Sequence, residues 1–184
     1  IDIAKLVGEK ILGGDPSVVK ATASLASQDD ARLVANSFGE IAEDIRPMTT
    51  LRTSCVAKKG ERREQNSYRV AYRDSQDYYT DGQIEAISKE AVKRTLVLFD
   101  ASSPPAGELP VVLAPASSGI LLHEAIGHGL EADFNRKGTS IYSTMIGRKV
   151  AEDFVTVVDS ALEPKNRGAI NVDDEGVPGQ RTVL

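Results

Sequence analysis

Apolar residues recur at helical spacing near the start of the chain and again before residue 100. Ile3, Val7 and Ile11 fall at i, i+4 and i+8, so they share one face of a predicted helix over residues 1–12. A Gly-Gly-Asp-Pro sequence then ends this helix. A second helical pattern covers residues 83–99. We expect both helices to pack on a sheet.

Between these helices, apolar and polar residues partly alternate over segments that are rich in β-branched side chains. The predicted strands cover residues 17–27, 31–36, 40–46, 49–57 and 61–72. Turn residues separate them at 28–30, 37–39 and 58–60, and the Lys-Lys-Gly turn marks the clearest hairpin. This pattern predicts an antiparallel meander.

The second half of the chain follows a Pro-, Ser- and Gly-rich linker over residues 101–107. The predicted elements are a buried strand at 109–114, a helix from Ser117 to about Leu130, strands at 154–158 and 169–172, and a loop at 173–179. The fold class is therefore α+β: an antiparallel sheet with packed helices over residues 1–100, then a strand–helix–strand segment that begins a β-rich C-terminal domain. The predicted domains are residues 1–103 and 108–184, the second truncated.

Composition and charge exclude several classes of protein and partner. The chain is 41% hydrophobic and 27% charged, which excludes the disordered and membrane classes. A formal charge of -5 and the lack of a basic stripe argue against nucleic acid as a partner. Lys58-Lys59 and Arg62-Arg63 are interpreted as the solvated tip of a hairpin. No apolar stretch approaches the roughly 20 residues that span a bilayer.

The two histidines of the chain lie five residues apart, in His123-Glu124-Ala125-Ile126-Gly127-His128. Neutral imidazole is a common zinc ligand. On an ideal helix, residues at i and i+5 lie about 140° apart around the axis, so their rings do not converge on one ion. A π-type widening restores convergence and is typical of functional sites. We therefore predict either such a widening between His123 and His128 or a helix break at Gly127.

Glu124 is the natural general base of such a site, since it could take a proton from a metal-bound water. Catalytic zinc sites need three protein ligands, and the third is not evident from this motif. The alternative is that both histidines are structural. Their exclusive placement in the motif, on a plausible strand-to-helix scaffold, favours the metal site.

The stretch from His123 to Ser140 resembles the core of the TldD/PmbA family of metallopeptidases, and so does Asn171-Val172-Asp173-Asp174-Glu175-Gly176-Val177-Pro178-Gly179-Gln180. Weaker similarity covers 45–47 and 89–92. The metal motif is similar to that of the TldD branch, because the PmbA (TldE) branch lacks it.

The resemblance implies a cytoplasmic zinc peptidase that acts on small or unfolded peptides. It implies a PmbA/TldE-like partner, hence a homo- or hetero-oligomer, and roles in leader-peptide removal and degradation of antitoxin-like substrates. His123 and His128 match the family's zinc ligands, and Glu124 matches its catalytic glutamate. The family's third ligand is a Cys expected beyond residue 184. Cys55 does not match it and is interpreted as a half-buried strand residue.

Several other polar residues are candidates for supporting roles. Gly138 and Thr139 could offer backbone donors to a bound peptide, or form a simple turn. Asp173, Asp174 and Glu175 could line the substrate cleft, or form an acidic turn. The third group, Asp133, Asn135 and Arg136, could orient His128 from behind the metal or make loop contacts.

Family members are longer than 184 residues, so we expect this chain to be the middle of one, with weak or missing zinc and no activity alone. The rival hypotheses are an assembly module with a vestigial metal site and a regulator that binds a DNA-handling enzyme.

Overall fold

The computed structural model describes residues 3–116 and 118–184. Within them the chain forms two compact units. The first unit comprises the described part of Ile1–Ser103 together with Val158–Leu184, and the second is Pro104–Val157. The division into domains at 1–103 and 108–184 stays a prediction. The expected helix start at Ser117 lies outside the described residues.

A three-stranded antiparallel sheet forms the frame of the first unit. Its strands are β1 (Val18–Ala35), β2 (Ile41–Lys59) and β3 (Arg62–Tyr72), in that order. Lys59 pairs with Arg62 across the predicted hairpin turn, where Gly60 has a φ of 59° that favours glycine. The α+β class and the antiparallel meander are therefore confirmed.

The predicted turn at residues 28–30 is wrong, because β1 runs through it without a break. Gln28, Asp29 and Asp30 pair with Met48, Pro47 and Arg46 of β2. The same pairing carries β2 through Pro47, where the sequence predicted a gap. Polar residues also occur within strands when a neighbouring strand pairs with them. Here β2 continues past residues 28–30 and pairs with each of them, so β1 does not turn.

Two helices, α1 (Ile3–Leu12) and α2 (Asp81–Leu96), pack on the sheet as predicted. Val7 and Ile11 of α1 are fully buried, and Ile84 and Ile87 of α2 share their core with Leu51 and Cys55 of the sheet. The second helix ends earlier than predicted, since a short 3-10 helix covers Val97–Asp100. Another 3-10 turn, Gln76–Tyr78, precedes α2.

The end of the chain returns to the first unit and is held there by a buried carboxylate. Asp44 accepts hydrogen bonds from Arg46 Nε at 2.5 Å, from Arg73 at 2.7 Å and from the side-chain amide of Asn171 at 2.7 Å. Two short strands, β4 (Val158–Ser160) and β5 (Arg181–Val183), pair antiparallel nearby. The predicted strand at 169–172 is reduced to one bridge, between Val172 and Pro178.

The second unit consists of helical turns and irregular loops. Its helices are α3 (Ser118–Leu122), a π-helix (His123–Gly127), α4 (His128–Leu130) and α5 (Ala132–Arg136). The predicted strand at 109–114 is wrong, because these residues are irregular and Val112 is 97% exposed. Of the predicted strand at 154–158, only Val158, the first residue of β4, lies in a strand, and Phe154 is 87% exposed. A buried strand needs a pairing partner, and the described residues supply none.

No helix in the described parts of the chain is both long and apolar enough to cross a membrane.

Candidate metal centre

The His-Glu-x-x-x-His motif lies on a helix that widens by one residue. The backbone N–H of His128 donates to the carbonyl of His123, an i to i−5 hydrogen bond that defines the π-helix His123–Gly127. Ordinary α-helical turns flank it on both sides. The predicted π-type widening is therefore confirmed, and the helix continues through Gly127.

The widened turn brings the two imidazoles together. Their ring centroids lie 4.5 Å apart, with an interplanar angle of 72°. On a regular α-helix the same two residues would project about 140° apart. The extra residue in the turn removes most of that divergence, so the i, i+5 spacing now serves as i, i+4 does in a regular helix.

Glu124 completes a group of three side chains that could hold a metal ion. One donor atom from each of His123, Glu124 and His128 lies within 4.8 Å of the other two, and all three side chains are exposed. Two nitrogen donors on one tetrahedral zinc ion lie roughly 3.4 Å apart, so the imidazoles must close further around an ion. Two imidazoles and a carboxylate are donor types that zinc accepts, and the donor set fits zinc in its chemistry.

The position of Glu124 suits a group that works beside a metal. Its Oε2 atom lies 3.6 Å from Nε2 of His128, and its side chain is 63% exposed. The carboxylate thus faces the same space as the imidazole nitrogen while keeping contact with solvent. This arrangement allows proton exchange with a water molecule next to the nitrogen.

A carboxylate that the sequence analysis missed lies on the other side of His128. Glu131 Oε1 is 2.9 Å from His128 Nδ1. The residues that the sequence predicted to orient His128 make other contacts. Asp133 lies 3.6 Å from Lys137, and the side-chain amide of Asn135 donates to backbone carbonyls. Arg136 lines a depression of about 470 Å³ beside α4 and α5. The i, i+3 spacing of His128 and Glu131 was the available signal.

Close packing supports the turn that follows His128. The Gly129 carbonyl accepts hydrogen bonds from Asn135 Nδ2 at 2.9 Å and Ser140 Oγ at 2.5 Å. Gly129 itself lies against the ring of Tyr142, where an added Cβ would come within 2.6 Å of Cε2. Only glycine fits this contact without displacing the ring.

Gly138 and Thr139 form the turn that ends α5. Gly138 has a φ of 72°, and its N–H donates to the Asn135 carbonyl at 3.1 Å. The Thr139 N–H donates to the Phe134 carbonyl at 3.0 Å. Both backbone donors are already engaged in a helix-ending turn. A part in substrate binding stays a prediction for these two residues.

Asp173, Asp174 and Glu175 form a tight turn in the first unit. Asp173 Oδ1 accepts from the backbone N–H groups of Glu175 and Val177, each at 2.9 Å. Asp174 is almost fully exposed and lies 3.9 Å from Arg32. The local structure is that of an acidic loop, and its predicted place in a substrate cleft stays a prediction.

Two domain models of one family cover nearly the whole chain. Residues 1–99 match the PmbA/TldA metallopeptidase central domain. Residues 106–184 match the PmbA/TldA metallopeptidase C-terminal domain, which includes the motif with the two histidines.

Curated relatives carry metalloprotease names. A Metalloprotease TldD homolog of Haemophilus influenzae is 40% identical over 189 residues, covering 100% of this chain and 39% of that protein. A Metalloprotease TldD homolog of Buchnera aphidicola is also 40% identical, covering 92% of this chain and 37% of that protein. A Zinc metalloprotease TldD homolog of Saccharolobus solfataricus is 39% identical over 50% of the chain and 20% of its own length. The chain thus spans about two fifths of the first two relatives.

Solved structures share the fold at lower sequence identity. A proposed modulator of a DNA gyrase from Thermotoga maritima superposes with a TM-score of 0.78 at 22% identity, covering 99% of this chain and 41% of that one. TldE from Thermococcus kodakarensis gives 0.73 at 21% identity, with 97% and 39% covered. Domain models and relatives agree with the motif: the chain belongs to the TldD/PmbA family of metallopeptidases.

Proposed function

We propose that this chain carries the metal centre of a zinc-dependent peptidase of the TldD type. The observation that carries the proposal is the convergence of His123, Glu124 and His128 at the π-helical turn. A vestigial site would have no need of a widened helix. The presence of this uncommon turn together with the acid between the histidines favours peptide hydrolysis over a purely structural module.

His123 and His128 would hold a zinc ion through imidazole nitrogen atoms. Zinc, when bound, polarises the scissile carbonyl and lowers the pKa of a bound water toward about 7. Glu124 accepts the proton of the attacking water at its carboxylate and returns a proton to the leaving amine. Support for this role is that the exposed Glu124 side chain lies 3.6 Å from the His128 imidazole.

The third zinc ligand is a Cys beyond residue 184. Cys55 does not serve, because it is 1% exposed in the core of the first unit, more deeply buried than expected, and burial raises the pKa of its thiol. Two imidazoles alone bind zinc weakly. The 184-residue chain by itself is therefore inactive in this proposal.

The substrates are small or unfolded peptides, including leader peptides and antitoxin-like proteins, and a PmbA/TldE-like protein is the partner. Support for the partner is the shared fold with TldE from Thermococcus kodakarensis. Support for a cytoplasmic location is the single cysteine, which is free and buried. Gly138, Thr139 and the acidic loop at Asp173 are the candidates for contacts with the peptide.

Replacing Glu124 in the full-length protein tests the proposed chemistry. Glu124→Gln keeps the size and hydrogen-bonding ability of the side chain but removes the base. We expect bound zinc at the wild-type level and peptide cleavage reduced by at least about 100-fold, the usual contribution of general-base catalysis.

The matched control is Glu152→Gln, an exposed glutamate of the same unit that pairs with Lys149 at 2.9 Å. It should leave cleavage unchanged. Cleavage by Glu124→Gln at the wild-type rate would refute the assigned role, and loss of zinc from this variant would show that Glu124 is a ligand instead.

A further inference from the structure

The imidazole of His128 is held between two carboxylates. On one side, Nδ1 lies 2.9 Å from Oε1 of Glu131, which is hydrogen-bond distance. On the other side, Nε2 lies 3.6 Å from Oε2 of Glu124. The two nitrogen atoms therefore face different partners, and Glu131 contacts the nitrogen that points away from Glu124.

We propose that Glu131 is a positioning residue for the metal centre, a role that rests on the proposed zinc site. It accepts a hydrogen bond from Nδ1–H of His128, which fixes the ring orientation and leaves the lone pair of Nε2 free for the metal. A carboxylate behind a histidine ligand sets its tautomer and increases the electron donation of the free nitrogen.

Hydrogen bonds fix the backbone position of Glu131 next to His128. The helix ends just before it, and Glu131 itself is extended, with a φ of -60° and a ψ of 136°. Its carbonyl accepts from the backbone N–H of Asn135 at 3.2 Å and from the Asn135 side chain at 2.9 Å. The side chain of Asn135 also bonds the Gly129 carbonyl, so one amide ties together both residues that flank Leu130.

The contact is specific to His128 and Glu131. Across residues 3–116 and 118–184, the only carboxylates that face either imidazole within ion-pair distance are those of Glu124 and Glu131. Asp133 follows Glu131 by two residues but turns to Lys137 at 3.6 Å. Asp133 is therefore a suitable control, since it places the same charge on the same turn without contacting the ring.

The test measures zinc affinity by competition with a chromophoric chelator, using the full-length protein. Glu131→Ala should weaken zinc binding by about 10- to 100-fold. Glu131→Gln should lose less, because its amide oxygen still accepts from Nδ1–H without the charge. Asp133→Asn should change affinity by less than about twofold. The midpoint of thermal unfolding of the zinc-free protein should be unchanged, since the Glu131 side chain is 46% exposed.

The inference is overturned if Glu131→Ala binds zinc as tightly as the wild type, or if Asp133→Asn loses as much affinity. It is also overturned if Glu131→Ala lowers both the zinc affinity and the thermal unfolding midpoint of the zinc-free protein, and Glu131→Gln recovers neither quantity. That result would show that Glu131 acts only on stability. These outcomes are distinct from failure of the proposed function, which would appear as a wild-type protein that binds no zinc or cleaves no peptide.

Discussion

Asp44 shows how a single buried charge organises the first unit. It is 3% exposed and accepts hydrogen bonds from two arginines and from Asn171, which lies 127 positions further along the chain. Burial opposes the ionisation of Asp44, but the bonds from Arg46 and Asn171 and the charges of Arg46 and Arg73 outweigh it and lower its pKa. Ionised Asp44 therefore ties the end of the chain to β2 and to Arg73, the residue that follows β3.

We predict that Asp44→Asn destabilises the protein by about 3–5 kcal/mol at pH 7, because Arg46 and Arg73 lose their buried counter-charge. The loss is measured as the free energy of unfolding in urea. Asp29→Asn, at an exposed position of β1, is the control and should cost less than about 0.5 kcal/mol.

The lowered pKa also sets the direction of the pH dependence. Asp44 stabilises the fold at pH values above its unfolded pKa of about 3.9, and this contribution is lost as the pH falls through its lower folded pKa. The stability gap between wild type and Asp44→Asn should therefore narrow in acid. A gap that stays constant down to pH 2 would contradict the account.

The π-helical turn is the element on which the site depends. The sequence narrowed this element to two alternatives, a π-type widening or a helix break at Gly127, because two side chains at i and i+5 do not converge on a regular helix. The structure shows the widening. The support behind it could not be predicted in the same way. Gly129 contacts Tyr142, and its carbonyl accepts a hydrogen bond from Ser140. These contacts join residues across a loop, so no periodic pattern in the sequence predicts them.

We predict that Gly129→Ala lowers stability by about 1–3 kcal/mol, the usual cost of overpacking. The new methyl group would lie 2.6 Å and 2.8 Å from two carbon atoms of the Tyr142 ring. The readout is thermal unfolding of the zinc-free protein. Gly119→Ala is the matched control: that helical glycine has open space around it, so alanine should be neutral or stabilise by up to about 1 kcal/mol. Equal stabilities for the two variants would argue against the Tyr142 contact.

The other elements separate into those fixed by local pattern and those fixed by pairing. The helices α1 and α2 were predicted because their apolar stripes recur at the helical period over several turns. The length of β1 could not be predicted from local pattern, because pairing with β2 holds its polar residues 28–30 in an extended conformation. The apolar segment at 109–114 reads as a buried strand by composition, yet finds no strand to pair with in the described part of the chain.

At the scale of the whole molecule, the metal centre is the point where the sequence, the structure and the family agree. The chain spans about two fifths of its TldD-named relatives, and the third zinc ligand is proposed to lie outside it. In the proposed function, this chain contributes two imidazoles, a general base and the carboxylate of Glu131. The proposal then expects complete coordination only in the full-length protein.

The zinc content of the purified full-length protein after exhaustive dialysis tests this account most directly. We predict about one zinc ion per chain in the wild type, little in His128→Ala, and well below one in the isolated 184-residue chain, because a stable site needs three protein ligands. A wild-type protein without zinc, or a His128→Ala variant that retains it, would contradict the account. One tightly bound zinc in the 184-residue chain would contradict the assignment of the third ligand.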